Sequence, residues 1–182
     1  RADATKHEGD FRKIIEGVND TMDAVIGPLN VAAEYIDRIG KGNIPPKIED
    51  SYNGDFNEIK NNLNMCIDGL EGLVESSKVL EKMAYNDFSM KVDGNYQGIF
   101  LQTGTSVNQV RDRLIHVINI LDNVSNGDME DLEDLKKIGK RSEKDILIPS
   151  LIQMVETIQG MVNDTEMLAN AAIEGKLAVR AD

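Results

Sequence analysis

The sequence predicts an all-α chain built from consecutive helix–connector–helix units, and three observations lead there. Apolar residues recur with the 3-4-3 spacing of a heptad seam. A short cassette, a glycine or asparagine followed by apolar residues two and six positions on, returns about every 45 residues. Aromatic residues make up only 4% of the 182 and Trp is absent. The core therefore draws on Leu, Ile, Val, Met and Ala, which fill narrow helical bundles rather than thick globular centres.

The cassette reads Gly42-x-Ile44-x3-Ile48, Asn86-x-Phe88-x3-Val92, Gly127-x-Met129 and Gly175-x-Leu177-x3-Ala181, with first apolar positions 44, 41 and 48 residues apart. Arg1-Ala2-Asp3 returns 179 residues later as Arg180-Ala181-Asp182. The chain thus spans close to four periods, with the outer copies cut in mid-unit, as in a piece of something longer.

Before each cassette lies a first seam: Leu29, Ala32, Ile36, Ile39; then Leu73, Ser76, Leu80, Met83; then Leu114, Val117, Leu121, Val124. The fourth, Val162, Thr165, Ala169 and Ala172, is weaker, and its register can slip toward Leu168 and Ile173. After each connector a second seam begins, often at a Gly-Asp-Phe signal: Gly9-Asp10-Phe11, Gly54-Asp55-Phe56 and the variant Gly98-Ile99-Phe100. Its apolar positions are Phe11, Ile14 or Ile15, Val18, Met22 and Val25; then Phe56, Ile59, Leu63, Ile67 and Leu70; then Leu147, Leu151, Met154, Ile158 and Met161. Asp55 with Glu58, and Ser142 with Asp145, have capping-box spacing. Between a second seam and the next first seam the breakers are few: Gly27-Pro28, and the milder Gly69, Gly72 and Gly160. Continuous helices are expected over 9–41, 54–86, 98–126 and 143–175, with Pro28 kinking the first. Asp93-Gly94 alone suggests a hairpin, but the aligned stretch 44–56 holds Pro45-Pro46 and cannot pair as one.

Composition narrows the function. A net charge of −12 argues against a nucleic-acid backbone or an anionic membrane surface as partner. No stretch reads as a transmembrane span or signal peptide. Cys66 stands alone, excluding an intrachain disulfide, and reads as a buried, inert thiol. Two histidines far apart, His7 and His116, supply neither a zinc set nor the Glu-x-x-His motifs of a di-iron bundle. Phosphate-binding loops and nucleophile elbows are missing too. No enzyme, cofactor or metal is expected. Asn19, Asn64 and Asn108, each ten residues after its glycine, read either as register-setting polar layers or as solvated flank residues. The flank reading is favoured because Val18, Leu63 and Val107 already fill the seam.

The succession of an amphipathic helix, a connector with Gly-x-apolar-x3-apolar and a second helix opening with acidic and apolar residues resembles the HAMP family of signal-relay modules. The stretch from Asp23 to Leu70 carries the match most fully, with Pro28, the cassette at 42–48 and Asp55 to Glu58. Extended along the chain, the resemblance gives the C-terminal part of a unit (1–24), complete units at 25–70, 71–114 and 115–161, and the N-terminal part of another (162–182). Such arrays are similar to the poly-HAMP regions of methyl-accepting chemotaxis proteins and of some sensor kinases. The wording at 175–180 and the Gly-Asp-Phe signal look most like the chemotaxis receptors. Two departures stand out: the later units lack the proline, and the third complete unit has Glu133 at the second connector hydrophobe, leaving Leu132 or Leu135 as substitutes.

The resemblance implies stacked parallel four-helix coiled-coil bundles in a homodimer, two helices from each chain, with the connector along the outside. A narrow seam also needs a partner to cover it on physical grounds alone. The clasp residues would be Gly42, Ile44, Ile48, Phe88, Val92, Gly127, Met129, Gly175 and Leu177. The seam of the best-matched unit would be Pro28, Leu29, Ile36, Ile39, Phe56, Ile59, Leu63 and Ile67. The implied role is a non-enzymatic relay in the cytoplasm between input and output domains of a chemoreceptor. A sensor histidine kinase array and a static dimeric spacer are the alternatives. The low helix propensity of Gln102-Thr103-Gly104-Thr105-Ser106 marks the unit at 71–114 as the labile one.

Overall fold

The computed structural model describes residues 1–181, whose regular elements are all helices, with no strand among them. Asp182, the last residue of the returning Arg-Ala-Asp, lies outside the described residues. After a short 3-10 turn at Ala4–Lys6 come α1 (Gly9–Gly40), α2 (Asp55–Ala84), α3 (Gly98–Ser125), α4 (Asp131–Ile138) and α5 (Leu147–Ile173). Four of these five occupy the expected helical stretches. α1 runs through Pro28, which costs it one internal hydrogen bond but does not end it.

Both helix starts that the capping boxes marked form differently. α2 is preceded by Gly54 at φ 55, and no side chain caps it, so Asp55 contributes only its charge to the first turn. At α5 the helix begins at Leu147 rather than at 143. There Asp145, not Ser142, supplies the capping oxygen, Oδ1 accepting from the amides of Leu147 at 2.9 Å and Ile148 at 3.3 Å. Cys66 also departs from expectation, being exposed. Its neighbour Ile67 is completely buried, and adjacent residues on a helix point about 100° apart.

The chain divides into two compact units, residues 1–111 and 112–182. In the first, Val79 of α2, Val92 of the following connector and Val107 of α3 form a buried cluster, with Met83, Met90 and Tyr96 against it. In the second, Ile120, Leu132, Leu135, Ile148, Leu151 and Val155 form a larger one, joined by Val117, Val124, Met129, Ile152 and Met154.

Candidate functional site

Each cassette opens on the same helix terminus. Gly42, Asn86, Gly127 and Gly175 have φ of 78°, 59°, 82° and 73°. In each, the amide of this residue donates to the carbonyl three residues back, and the next amide donates five back. The pairs are Gly42 to Ile39 and Asn43 to Arg38, both 2.9 Å; Asn86 to Met83 and Asp87 to Lys82, both 3.0 Å. Gly127 to Val124 at 3.0 Å with Asp128 to Asn123 at 2.9 Å, and Gly175 to Ala172 at 3.1 Å with Lys176 to Ala171 at 2.8 Å, complete the set. This is the Schellman motif, which satisfies the last helical carbonyls and turns the chain sharply. Only glycine, and asparagine at small cost, adopts that backbone freely. Four identical stops thus aim the following residue back along the helix just left.

What that residue meets differs between copies. Ile44 and Phe88 are half-buried, and Pro45, Ile48 and Val92 are buried. Leu177 is 78% exposed.

The far end of each extended connector is fixed by an asparagine. Asn64 Oδ1 accepts from the Ile48 amide at 2.8 Å, and its Nδ2 donates to the Ile48 carbonyl at 3.0 Å. Asn108 does the same to Val92, at 2.9 and 2.8 Å. Asn19 does it to Ala2, at 3.1 and 2.8 Å, and Ala2 corresponds, in the returning Arg-Ala-Asp, to Ala181 at the second apolar place of the last cassette. A side-chain amide has the same donor and acceptor pair as a strand partner, so one residue takes up both backbone groups of the clasp. Neither sequence reading of these asparagines holds. They are neither polar layers in the seam nor free flank residues, because the connector lies over the flank they occupy.

The second connector has further ties. Glu75 of α2 accepts from the amides of Asp93 at 3.1 Å and Gly94 at 3.2 Å and from the Tyr96 hydroxyl at 2.8 Å. Burial works to raise its pKa, but these donors outweigh it and hold the carboxyl below its ordinary value. Burial, with Glu75 beside it, pushes the Tyr96 hydroxyl up to about 12. Arg111 Nε donates to the Phe88 carbonyl at 2.8 Å. Glycines clear the seats: a methyl group at Gly104 would lie 2.8 Å from Val92 Cγ1, one at Gly72 3.0 Å from the Tyr96 ring, and one at Gly69 2.3 Å from the Phe100 ring. Gly104, read from the sequence as a weak spot, is the floor under the clasp.

The third connector is different in kind. After Gly127 and half-buried Met129 it becomes α4, whose Leu132 and Leu135 are 6% and 1% exposed. Both substitutes for Glu133 are therefore used. A local signal was present: Asp131, Glu133 and Asp134 fall in the first turn and Lys136 and Lys137 in the last, the arrangement the helix dipole favours. Lys136 then pairs with Glu156 of α5 at 2.9 Å.

The seam divides regularly. Ala32 and Ser76 are buried and Val117 half-buried, as are Ile39, Met83 and Val124 seven residues, about two turns, later in each seam. Ser76 satisfies its hydroxyl on the Gly72 carbonyl at 2.7 Å. The alternate positions face outward: Leu29 and Ile36, Leu73 and Leu80, Leu114 and Leu121 are between 37% and 61% exposed. On the second seam, Phe56 and Leu63 are half-buried, Ile67 is buried and Ile59 is exposed. Each connector covers one flank of the seam and leaves the other bare. Among the described residues no helix is long and apolar enough to cross a membrane, and no group of His, Cys, Asp or Glu side chains is placed to hold a metal ion.

Neither the curated proteins nor the solved structures contain a match to this chain. Residues 6–72, which span α1, the first connector and the first half of α2, match the family model of the HAMP domain, which supports a HAMP region in this part of the chain.

Proposed function

We propose that the whole chain is a tandem HAMP array, acting as a non-enzymatic relay in a parallel homodimer between the input and output domains of a cytoplasmic chemoreceptor segment. The observation that carries this is the repeated asparagine clamp. Ala2 with Asn19, Ile48 with Asn64 and Val92 with Asn108 share one geometry, and only the second of these pairs completes the unit most fully matched to the family. A repeated device argues for a repeated module. The outward seam positions support the dimer: an apolar row left bare along several helices needs a partner that presents the same row. The chemoreceptor context rests on the resemblance around Gly175 to Arg180, and flanking sequence with a methylation region rather than a kinase domain would bear it out.

Disulfide trapping tests the assembly. With exposed Cys66 replaced by Ser, Leu80→Cys should cross-link to its own copy, as a parallel in-register pair requires, and light scattering should give a dimer. A monomer, or cross-linking only between unlike positions, would refute the dimer. Relay and static spacer then separate by distance. Ile44→Ser with Ile48→Ser should change the cross-linking rate at Leu121→Cys if packing is transmitted, and leave it unchanged if the chain is only a spacer.

A further inference from the structure

A cavity of about 220 Å³ opens in the second compact unit, beside α3 and the segment that leads into α5. Its polar wall includes Arg113, His116, Arg141, Ser142 and Asp145, and its apolar wall includes Val117 and Ile148. The chain has 32 acidic and 20 basic residues, and most cations near a carboxylate use it: Lys41, Lys47, Lys82, Lys136 and Lys137 all form ion pairs. Arg113 and Arg141 do not. Among the described residues neither guanidinium donates a hydrogen bond or joins an ion pair, and Lys140 and Lys144 beside them are equally unpaired.

His116 adds an independent sign. Its Nε2 atom is buried with no hydrogen-bond partner in the protein, a state that costs free energy until a partner satisfies it. Asp145 also lines the cavity, but its oxygens are committed elsewhere. They accept from the amides of Arg141 at 2.9 Å, Leu147 at 2.9 Å and Ile148 at 3.3 Å, and this one carboxylate, whose charge acts on Arg141, leaves the lining with two guanidinium charges against one.

We propose that this cavity binds a small phosphate-bearing anion. Two guanidinium forks, an imidazole nitrogen and a hydroxyl offer more donors than the two oxygens of a carboxylate can use, whereas a phosphate presents three acceptor oxygens and close to two charges. The volume exceeds that of the phosphate group alone, leaving Val117 and Ile148 to receive a short carbon frame. Seating such an anion would tie the α3 wall to the segment entering α5, and so stiffen the third connector.

Titration of the intact chain with n-propyl phosphate in phosphate-free, low-salt buffer tests this, read by calorimetry and by the imidazole signals of the two histidines. The expected result is saturable binding at one site per chain with the His116 signal moving and the His7 signal still. The pair Arg113→Gln with Arg141→Gln should weaken binding by about tenfold or more. The pair Arg12→Gln with Lys13→Gln removes the same charge elsewhere and should leave it within about twofold. Absence of saturation, equal weakening by both pairs, or succinate binding as tightly as propyl phosphate would overturn the proposal. If the double substitution in the cavity fails to fold, a motionless His116 signal in the unaltered chain would overturn it on its own.

Discussion

The second and third connectors do the same task with opposite chemistry. The second is extended and is tied by polar groups: Asn108 on Val92, Glu75 on the turn at 93–96, and Arg111 on the Phe88 carbonyl. The third folds into α4 and is tied by burial of Leu132 and Leu135 in a cluster of six buried residues. Hydrogen bonds are directional and are exchanged readily for water, so each contributes only about 1 kcal/mol net. A buried leucine contributes more, about 1.5–3 kcal/mol, and does so without fixing a register. A polar tether can therefore be released and remade in one defined place, while an apolar one stays put. This gives the labile character inferred for residues 71–114 a physical basis other than poor helix propensity alone.

The largest effect should come from the apolar connector. Leu135→Ala removes a side chain that is 1% exposed and should lower stability by about 2–5 kcal/mol in chemical denaturation at fixed chain concentration. Loss of less than about 1 kcal/mol would mean that α4 is not anchored, and the contrast would collapse.

Asn108→Ala should cost about 1–3 kcal/mol, because it strands the amide and carbonyl of Val92 together. Asn64→Ala should behave alike at Ile48. The comparison is sharpened by hydrogen exchange: protection over 98–108 should fall below that over 147–156, and Asn108→Ala should lower only the former. Equal protection in the unaltered chain would remove the basis for calling the second unit the softer one.

Gly104→Ala sets two effects against each other. In a helix alanine is favoured over glycine by about 1 kcal/mol, but here the new methyl would meet Val92 Cγ1 at 2.8 Å, and relieving such crowding costs about 1–3 kcal/mol. A net loss of up to about 2 kcal/mol is expected, with connector exchange faster. A gain in stability would show that Val92 does not press on Gly104.

These residues also show which parts of the molecule were legible in the sequence. The four helix ends were legible because a left-handed stop is local: it needs Gly42, Asn86, Gly127 or Gly175 and nothing distant. The burial of Ile48 and Val92 was legible for the same reason, through fixed spacing from those stops. The asparagine clamps were not, since each reaches backbone 16 or 17 residues away and backbone groups leave no side-chain pattern to read. Glu75 was hidden similarly, in a polar helix flank where an acidic residue is ordinary. Gly104 misled because propensity measures a helix without neighbours, and here the neighbour needs the space. α4 was missed because the repeat was extended over it, although the charges at its two ends pointed to a helix.

The smallest effect is a pH dependence confined to the second connector. Glu75 is held below its ordinary pKa of 4.5 in the folded chain, so the stability from its contacts is present above that value and is lost as pH falls through the depressed one. Tyr96 works in the other direction: raised from 10.0 to about 12, it keeps its contribution below pH 10.0 and loses it as pH climbs through about 12. Between these limits the turn at 93–96 is fully tied. Glu75→Gln keeps the size of the side chain, abolishes the acid limb, and puts a weaker acceptor and a donor where two amides and a hydroxyl all donate. Exchange at the Asp93 and Gly94 amides should therefore accelerate at neutral pH, and its rise on acidification, measured after correction for intrinsic rates, should flatten. The third connector offers the control within the same chain. Exchange in α4 rests on Leu132 and Leu135 and should not respond to Glu75→Gln, and a response there of the same size would show that the substitution acts on the chain as a whole rather than on a polar tether.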